Sequence, residues 1–163
     1  MLPFCPCDLS AIAAQSVAAH AARANKNGVN LEFDTPETLR VLGNGDRLRV
    51  VVDNLLDNAL RYAPAGSHIA VKAGRDAENA VLTVEDNGPG LNEGDLTRVF
   101  DRFYRADSSR DRKSGGMGLG LAIVKAIVES HGGNVNARNR AEGGAVFSVR
   151  LPFAPEDLDL RWV

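Results

Sequence analysis

The sequence predicts an α/β two-layer sandwich, a mixed β-sheet covered on one face by helices. Three observations carry that expectation. The chain has 163 residues, the size of one domain. Its 44% hydrophobic and 25% charged residues are the mix of an ordinary globular protein, which excludes a disordered tail, a collagen-like repeat and a coiled coil. Its apolar residues switch between a period of two and a period of 3.6, in the order α-β-β-α-β-β, a long connection, then α-β-β.

Each element has its own warrant. Residues 1–7 show no period, Pro3 and Pro6 bracket Cys5, and the stretch reads as a linker. Asp8 is a candidate N-cap for an alanine-rich helix that runs to about Asn25 and stops at Asn27-Gly28. From Val29 to Asp34, Leu31 and Phe33 alternate with Asn30 and Glu32, the pattern of a strand, and Thr38 to Leu42 reads as a second, short one. Gly45-Asp46 starts the clearest helix: Leu48, Val51, Val52, Leu55, Leu56 and Ala59 make one apolar stripe, and Pro64 ends it. Ile69, Val71 and Ala73 alternate in one strand and Leu82 and Val84 in the next, with a turn at Asp76 to Asn79. Asp86 to Gly116 is rich in Gly, Asp, Arg and Ser, and a connection of that length inside a domain reads as a functional lid. A helix from about Gly118 to Ser130 is capped by Gly132-Gly133. Val135 to Asn139 and Ala145 to Leu151 are the last two strands, around a turn at 141–144. The stretch from Pro155 to Val163 matches nothing in this pattern and reads as a loose tail.

Charge narrows the function. Nineteen Lys and Arg against 21 Asp and Glu leave a net charge of −2, which argues against a non-specific grip on nucleic acid. No apolar run approaches the ~20 residues that cross a bilayer, and no signal peptide is visible at Met1. Cys5 and Cys7 are the two cysteines. Cys-Pro-Cys is too tight for an ordinary bridge, so two free thiols in a reducing, intracellular setting are expected.

Four segments carry chemistry. On the helix from Asp46, Asn54, Asn58 and Arg61 lie at i, i+4 and i+7, a polar stripe beside the apolar one. Asn is a poor helix former, by roughly half a kcal/mol against Ala. Its neutral carbonyl oxygen suits a Mg²⁺ already surrounded by phosphate charge, and Arg61 suits a phosphate oxygen; a plain exposed face is the alternative. Asp86-Asn87-Gly88-Pro89-Gly90 follows a strand directly. It reads as a turn, or as a wall on which a ligand ring lies against bare backbone while Asp86 accepts from an exocyclic amino group. Adenine has that amino group and guanine a carbonyl, so Asp86 would select ATP over GTP. Ser114-Gly115-Gly116-Met117-Gly118-Leu119-Gly120 runs into a helix and reads as a flexible loop or an anion cradle. It is no Walker loop, lacking Gly-Lys-Ser/Thr, and no dinucleotide fingerprint, since position 123 is Ile123. Phe100-Asp101-Arg102-Phe103-Tyr104-Arg105 reads as a short helix, or as aromatics docking a loop whose arginines face phosphate.

In order and spacing these four segments resemble the ATP-binding catalytic domain of sensor histidine kinases, in the gyrase, Hsp90, histidine kinase and MutL superfamily. The resemblance covers roughly residues 8–153. Asn54 to Tyr62 is similar to the family's N box, Asp86 to Gly90 to its first glycine box, Phe100 to Arg105 to its F box and Gly116 to Leu121 to its second glycine box. His131-Gly132-Gly133 and Glu142-Gly143-Gly144-Ala145 resemble its closing strands.

The resemblance implies a Bergerat-type ATP-binding fold with ATP and Mg²⁺ as ligands. It implies Asn58 as Mg²⁺ ligand with Asn54 beside it, Arg61 on phosphate, Tyr62 on adenine, Asp86 on the adenine amino group, and Gly88 and Gly90 shaping that wall. Arg102 or Arg105, the latter favoured, would approach the γ-phosphate, and Gly116, Gly118, Leu119 and Gly120 would hinge the lid and cradle phosphates. Hydrolysing members carry a Glu one turn before the Mg²⁺-binding Asn. Here that place is Asn54, which cannot accept a proton, so the γ-phosphoryl is kept for transfer. The phosphoacceptor His-acidic pair of these kinases does not occur here: Ala21 follows His20.

The implied division is therefore a linker remnant at 1–7 from an upstream dimerisation and phosphoacceptor domain, an ATP-binding kinase domain at 8–153 and a tail at 154–163. Implied partners are a phosphoacceptor His hairpin of the same kinase and a response regulator, with no nucleic acid and no direct membrane contact. The implied setting is a cytoplasmic domain of a parent in the bacterial inner membrane. A stand-alone Ser kinase of the superfamily, or a non-catalytic nucleotide-gated module, are the alternatives.

Overall fold

The computed structural model of the protein describes residues 4–34, 37–102 and 120–156. The chain enters through strand β1, Cys5–Asp8. This stretch was expected to be a patternless linker. It pairs instead antiparallel with β3, Arg40–Gly43, with Pro6 opposite Leu42. A two-stranded ribbon consists of edges, where a residue lacking an N–H is tolerated, so the proline does not break it. The Cys7 thiol donates to the Val41 carbonyl across the ribbon. Both cysteines are free thiols.

Asp8 is the N-cap of α1, Leu9–Lys26, and its carboxylate accepts from the Ser10 and Leu39 amides. Gly28, at φ +70°, turns the chain into β2, Asn30–Asp34. The short strand expected at 38–42 is β3, two residues later, and it joins the ribbon rather than the main sheet. Asn44 caps α2, Gly45–Tyr62, by accepting from the Arg47 amide. All six residues of the predicted apolar stripe are buried, and Leu60 joins them.

Strands β4, His68–Asp76, and β5, Asn79–Asp86, follow. Then come a short α3, Glu93–Leu96, α4, Gly120–Ser130, β6, Asn134–Asn139, and β7, Ala145–Pro152. The five-stranded sheet runs β2-β4-β5-β7-β6, with β2 and β4 parallel and the other pairs antiparallel. Ile69, Val71, Ala73, Ala80, Leu82, Val84, Phe147, Val149 and Leu151 point to one face and build the core with α1, α2 and α4. The opposite face is polar, with Lys72 paired to Glu85 and Arg150 to Asp76. This is the two-layer sandwich the periodicity predicts.

The described part of the long connection is mostly exposed and is anchored near its end: Val99 and Phe100 are buried, with Phe100 edge-on to Phe147. Residues 103–116, the remainder of the predicted lid, lie outside the described residues. The domain closes against β3: Phe153 bridges to Val41, and the Ala154 amide, at the first residue of the predicted tail, donates to Arg40. Residues 157–163 lie outside the described residues.

Candidate functional site

The helix α2 presents its second stripe as the pattern requires. Asn54 and Asn58 are half-buried, and Arg61 and Tyr62 are exposed at the C-terminal end. The Asn54 amide donates back to the Val50 carbonyl one turn earlier, which leaves its Oδ1 facing away from its own helix. That oxygen lies 2.9 Å from where a Cβ on Gly120 would sit. The first residue of α4 is thus seated on Asn54, and a side chain there would displace one of them.

The carboxylates beside these amides are committed elsewhere. Asp53 accepts from Ser16 and from Arg49, at 2.9 Å for Arg49. Asp57 accepts from Arg23 at 2.8 Å and faces His20 Nε2 at 3.1 Å. His20 Nδ1 lies 2.7 Å from the Ser16 carbonyl, so the histidine is a seam residue between α1 and α2. With both carboxylates tied to α1 or to their own helix, α2 offers a cation neutral amide oxygens. That donor set fits a divalent ion that arrives with phosphate oxygens of its own.

Asp86 closes the other end, at the last position of β5. Its Oδ1 accepts from the Gly88 amide at 3.0 Å and the Ala145 amide at 3.3 Å. Among the described residues Oδ2 has no donor, so one oxygen fixes the side chain and the other remains to accept. The backbone around it is crowded. Gly144, at φ +100°, lies so close to the Asp86 carbonyl that a Cβ would overlap it. Gly88 sits beneath Tyr62 and Pro64, with the Tyr62 carbonyl 3.8 Å from where its Cβ would be. The structure therefore brings the start of the 86–90 segment against the C-terminal end of α2.

Three residues to which the sequence assigned no role build this end. Arg140 donates to the Asp86 carbonyl at 3.2 Å and pairs with Glu142 at 3.1 Å. Asn139 bonds twice to Leu91. Asn87 accepts from the His68 amide at 2.8 Å, tying the segment to β4. All three are polar residues at strand ends, where sequence alone suggests turns. His131, expected to be structural, is buried: its Nε2 accepts from the Asn44 amide at 3.1 Å, so Nδ1 carries the proton and donates to Ile127 at 2.8 Å. Phe4 stacks on this ring, with centroids 4.3 Å apart.

Of the predicted site residues, Asn54, Asn58, Arg61 and Tyr62 lie on α2, Asp86 at the end of β5, Gly88 and Gly90 on the loop after it and Gly120 at the start of α4. Arg102 is exposed at the end of the described loop. Arg105, Gly116, Gly118 and Leu119 lie outside the described residues. Among the described residues no cluster of three His, Cys, Asp or Glu side chains is arranged to hold a metal, and no helix is long and apolar enough to cross a membrane.

Residues 43–155 match the family described as histidine kinase-, DNA gyrase B-, and HSP90-like ATPase. The signal transduction histidine-protein kinase BaeS of Escherichia coli is 40% identical over 148 residues, covering 91% of this chain and 32% of BaeS. The mycobacterial sensor histidine kinase MprB superimposes with a TM-score of 0.81 at 30% identity, covering 93% of this chain and 99% of the solved one. The catalytic domain of histidine kinase ThkA, in a nucleotide-free form, gives a TM-score of 0.83 at 25% identity, over 95% and 99% of the two chains. The chain spans about a third of the length of curated relatives such as BaeS.

Proposed function

Because the chain belongs to the histidine kinase-, DNA gyrase B- and HSP90-like ATPase family and corresponds to its sensor-kinase catalytic domain, we propose that it binds Mg·ATP and delivers the γ-phosphoryl group to a histidine on a separate helical hairpin. From that histidine the phosphoryl group passes to an Asp of a response regulator. The observation that carries the reading is Asp86, whose Oδ1 is held by two backbone amides while Oδ2 is left to accept from an adenine amino group.

The roles follow from position. Asp86 reads the base, Gly88 and Gly90 let the ring approach backbone, and Tyr62, 48% exposed at the end of α2, packs on it. Asn58 holds Mg²⁺ and Arg61 contacts phosphate, with Arg105 or Arg102 at the γ-phosphate and Gly116, Gly118, Leu119 and Gly120 cradling the chain of phosphates. Mg²⁺, when bound, supplies charge neutralisation on the phosphates. Asn54, an amide seated on Gly120, is too weak a base to take a proton from water, so hydrolysis does not compete with delivery. Val50 on α2 and Ile123 on α4, the helices that meet at Asn54 and Gly120, are exposed apolar side chains on which a hairpin can rest. In this reading the parent protein sits in a bacterial inner membrane, with this domain on its cytoplasmic side.

Labelled ATP with a purified histidine hairpin tests the whole. Acid-labile, base-stable label on the hairpin is expected. Acid-stable label on Ser would make the protein a serine kinase, and nucleotide binding without transfer would make it a ligand-gated module.

A further inference from the structure

The loop that carries Gly88 and Gly90 leaves the sheet at Asp86 and has no ladder of its own. Its far end is held from outside, by the last residue of β6. Asn139 Nδ2 donates to the Leu91 carbonyl at 2.5 Å, and the Leu91 amide donates to Asn139 Oδ1 at 2.8 Å. One side-chain amide thus satisfies both polar groups of one residue, as a neighbouring strand would. The same oxygen lies 2.9 Å from where a Cβ on Gly90 would be, and Gly90 adopts φ +77° there. Asn139 also pairs with Ala145, whose amide donates to Asp86 Oδ1. Its neighbour Arg140 bonds the Asp86 carbonyl.

We propose that Asn139 is a positioning residue for the purine: a two-point pin that holds the Gly88–Leu91 wall at the height where a base meets Asp86. This rests on the nucleotide-binding reading above. Without the pin the loop samples other conformations, and the apparent affinity falls by the fraction of time the wall is in place. The loss falls on the base and leaves the phosphates untouched. ATP and ADP are therefore weakened equally, and discrimination against GTP narrows because the wall no longer holds the ring to Asp86.

The test is calorimetry of the whole chain with Mg·ATP, Mg·ADP and Mg·GTP, with amide exchange at Leu91 followed in parallel. Asn139→Ala removes both bonds. Asn139→Asp keeps Oδ1 but sets an oxygen against the Leu91 carbonyl. Asn136→Ala, an exposed asparagine on the same strand, is the control. With one or two net hydrogen bonds lost, ATP and ADP affinity should each fall about tenfold in both Asn139 variants, the ATP-to-ADP ratio should hold and Leu91 exchange should accelerate. A merely structural asparagine would lower the melting midpoint without changing the ATP-to-GTP ratio, and that result overturns the proposal. So does unchanged Leu91 exchange, which is readable even where a variant is poorly stable. If Asn139 variants bind like wild type while Asp86→Asn fails, the pin is wrong and the nucleotide reading stands. If wild type binds no nucleotide, both fall.

Discussion

Asparagine at position 86 would keep two hydrogen bonds and lose a third. Its Oδ1 could still accept from Gly88 and Ala145, but an NH₂ group would replace Oδ2 and meet the adenine amino group donor to donor. Asp86→Asn should therefore leave the thermal midpoint in place while removing a charge-assisted bond of about 1.5–3 kcal/mol, roughly ten- to a hundredfold in ATP affinity by calorimetry. Asn58→Ala should abolish the Mg²⁺-dependence of ATP binding, measured by titration with and without the metal. Cys7 gives a third residue-level expectation. Burial, then the neighbouring Cys5, push its thiol up from the ordinary value, so the folded state favours the neutral form. Its contribution to stability is complete below the unfolded thiol pKa of about 8.5 and fades as pH rises past it. The stability gap between wild type and Cys7→Ala in denaturant melts should narrow from pH 7 to pH 10. Asp86 and Asn58 were legible as candidates because each is an unusual residue for its place, a carboxylate ending a strand and an amide in mid-helix. Asn139 was not, because an asparagine before a turn is ordinary and its partner is 48 residues away.

Among elements, α2 was read almost whole. A stripe with one period has one buried face, and Leu48, Val51, Val52, Leu55, Leu56 and Ala59 all lie there. Leu56→Ala, at a fully buried site beneath the amide stripe, should cost about 2–5 kcal/mol in a denaturant melt. β1 escaped notice because Cys-Pro-Cys carries neither alternation nor a β-branched residue; only its pairing with β3 makes it a strand. The connection after β5 was legible as unusual but not in its division, since Phe100 meets Phe147 of β7 only once the sheet has formed. The α1–α2 seam was invisible too. Ser16, His20 and Arg23 meet Asp53 and Asp57 only after the two helices pack.

For the molecule as a whole, periodicity gave strands and helices but not neighbours. Nothing local says that β5 lies between β4 and β7, or that β2 runs parallel to β4 across α2. The mixed sheet and its single covered face were legible because inward positions alternate with polar ones. A ligand that bridges α2, the Asp86 loop and α4 should stabilise the entire unit. At a hundredfold excess over its Kd, Mg·ATP should add about 2.7 kcal/mol, a rise of roughly 5–10 °C in the midpoint by scanning calorimetry.

The ribbon has a mechanical corollary. β3 is gripped on one side by the incoming strand β1 and touched on the other by Phe153 and Ala154 on the way out. Tension applied to either flank converges on Arg40–Gly43. The next residue is Asn44, the cap of the helix bearing Asn54 and Asn58, itself latched to His131. A pull from outside thus loads the root of that helix as well as α1 and β7, into which the two flanks run.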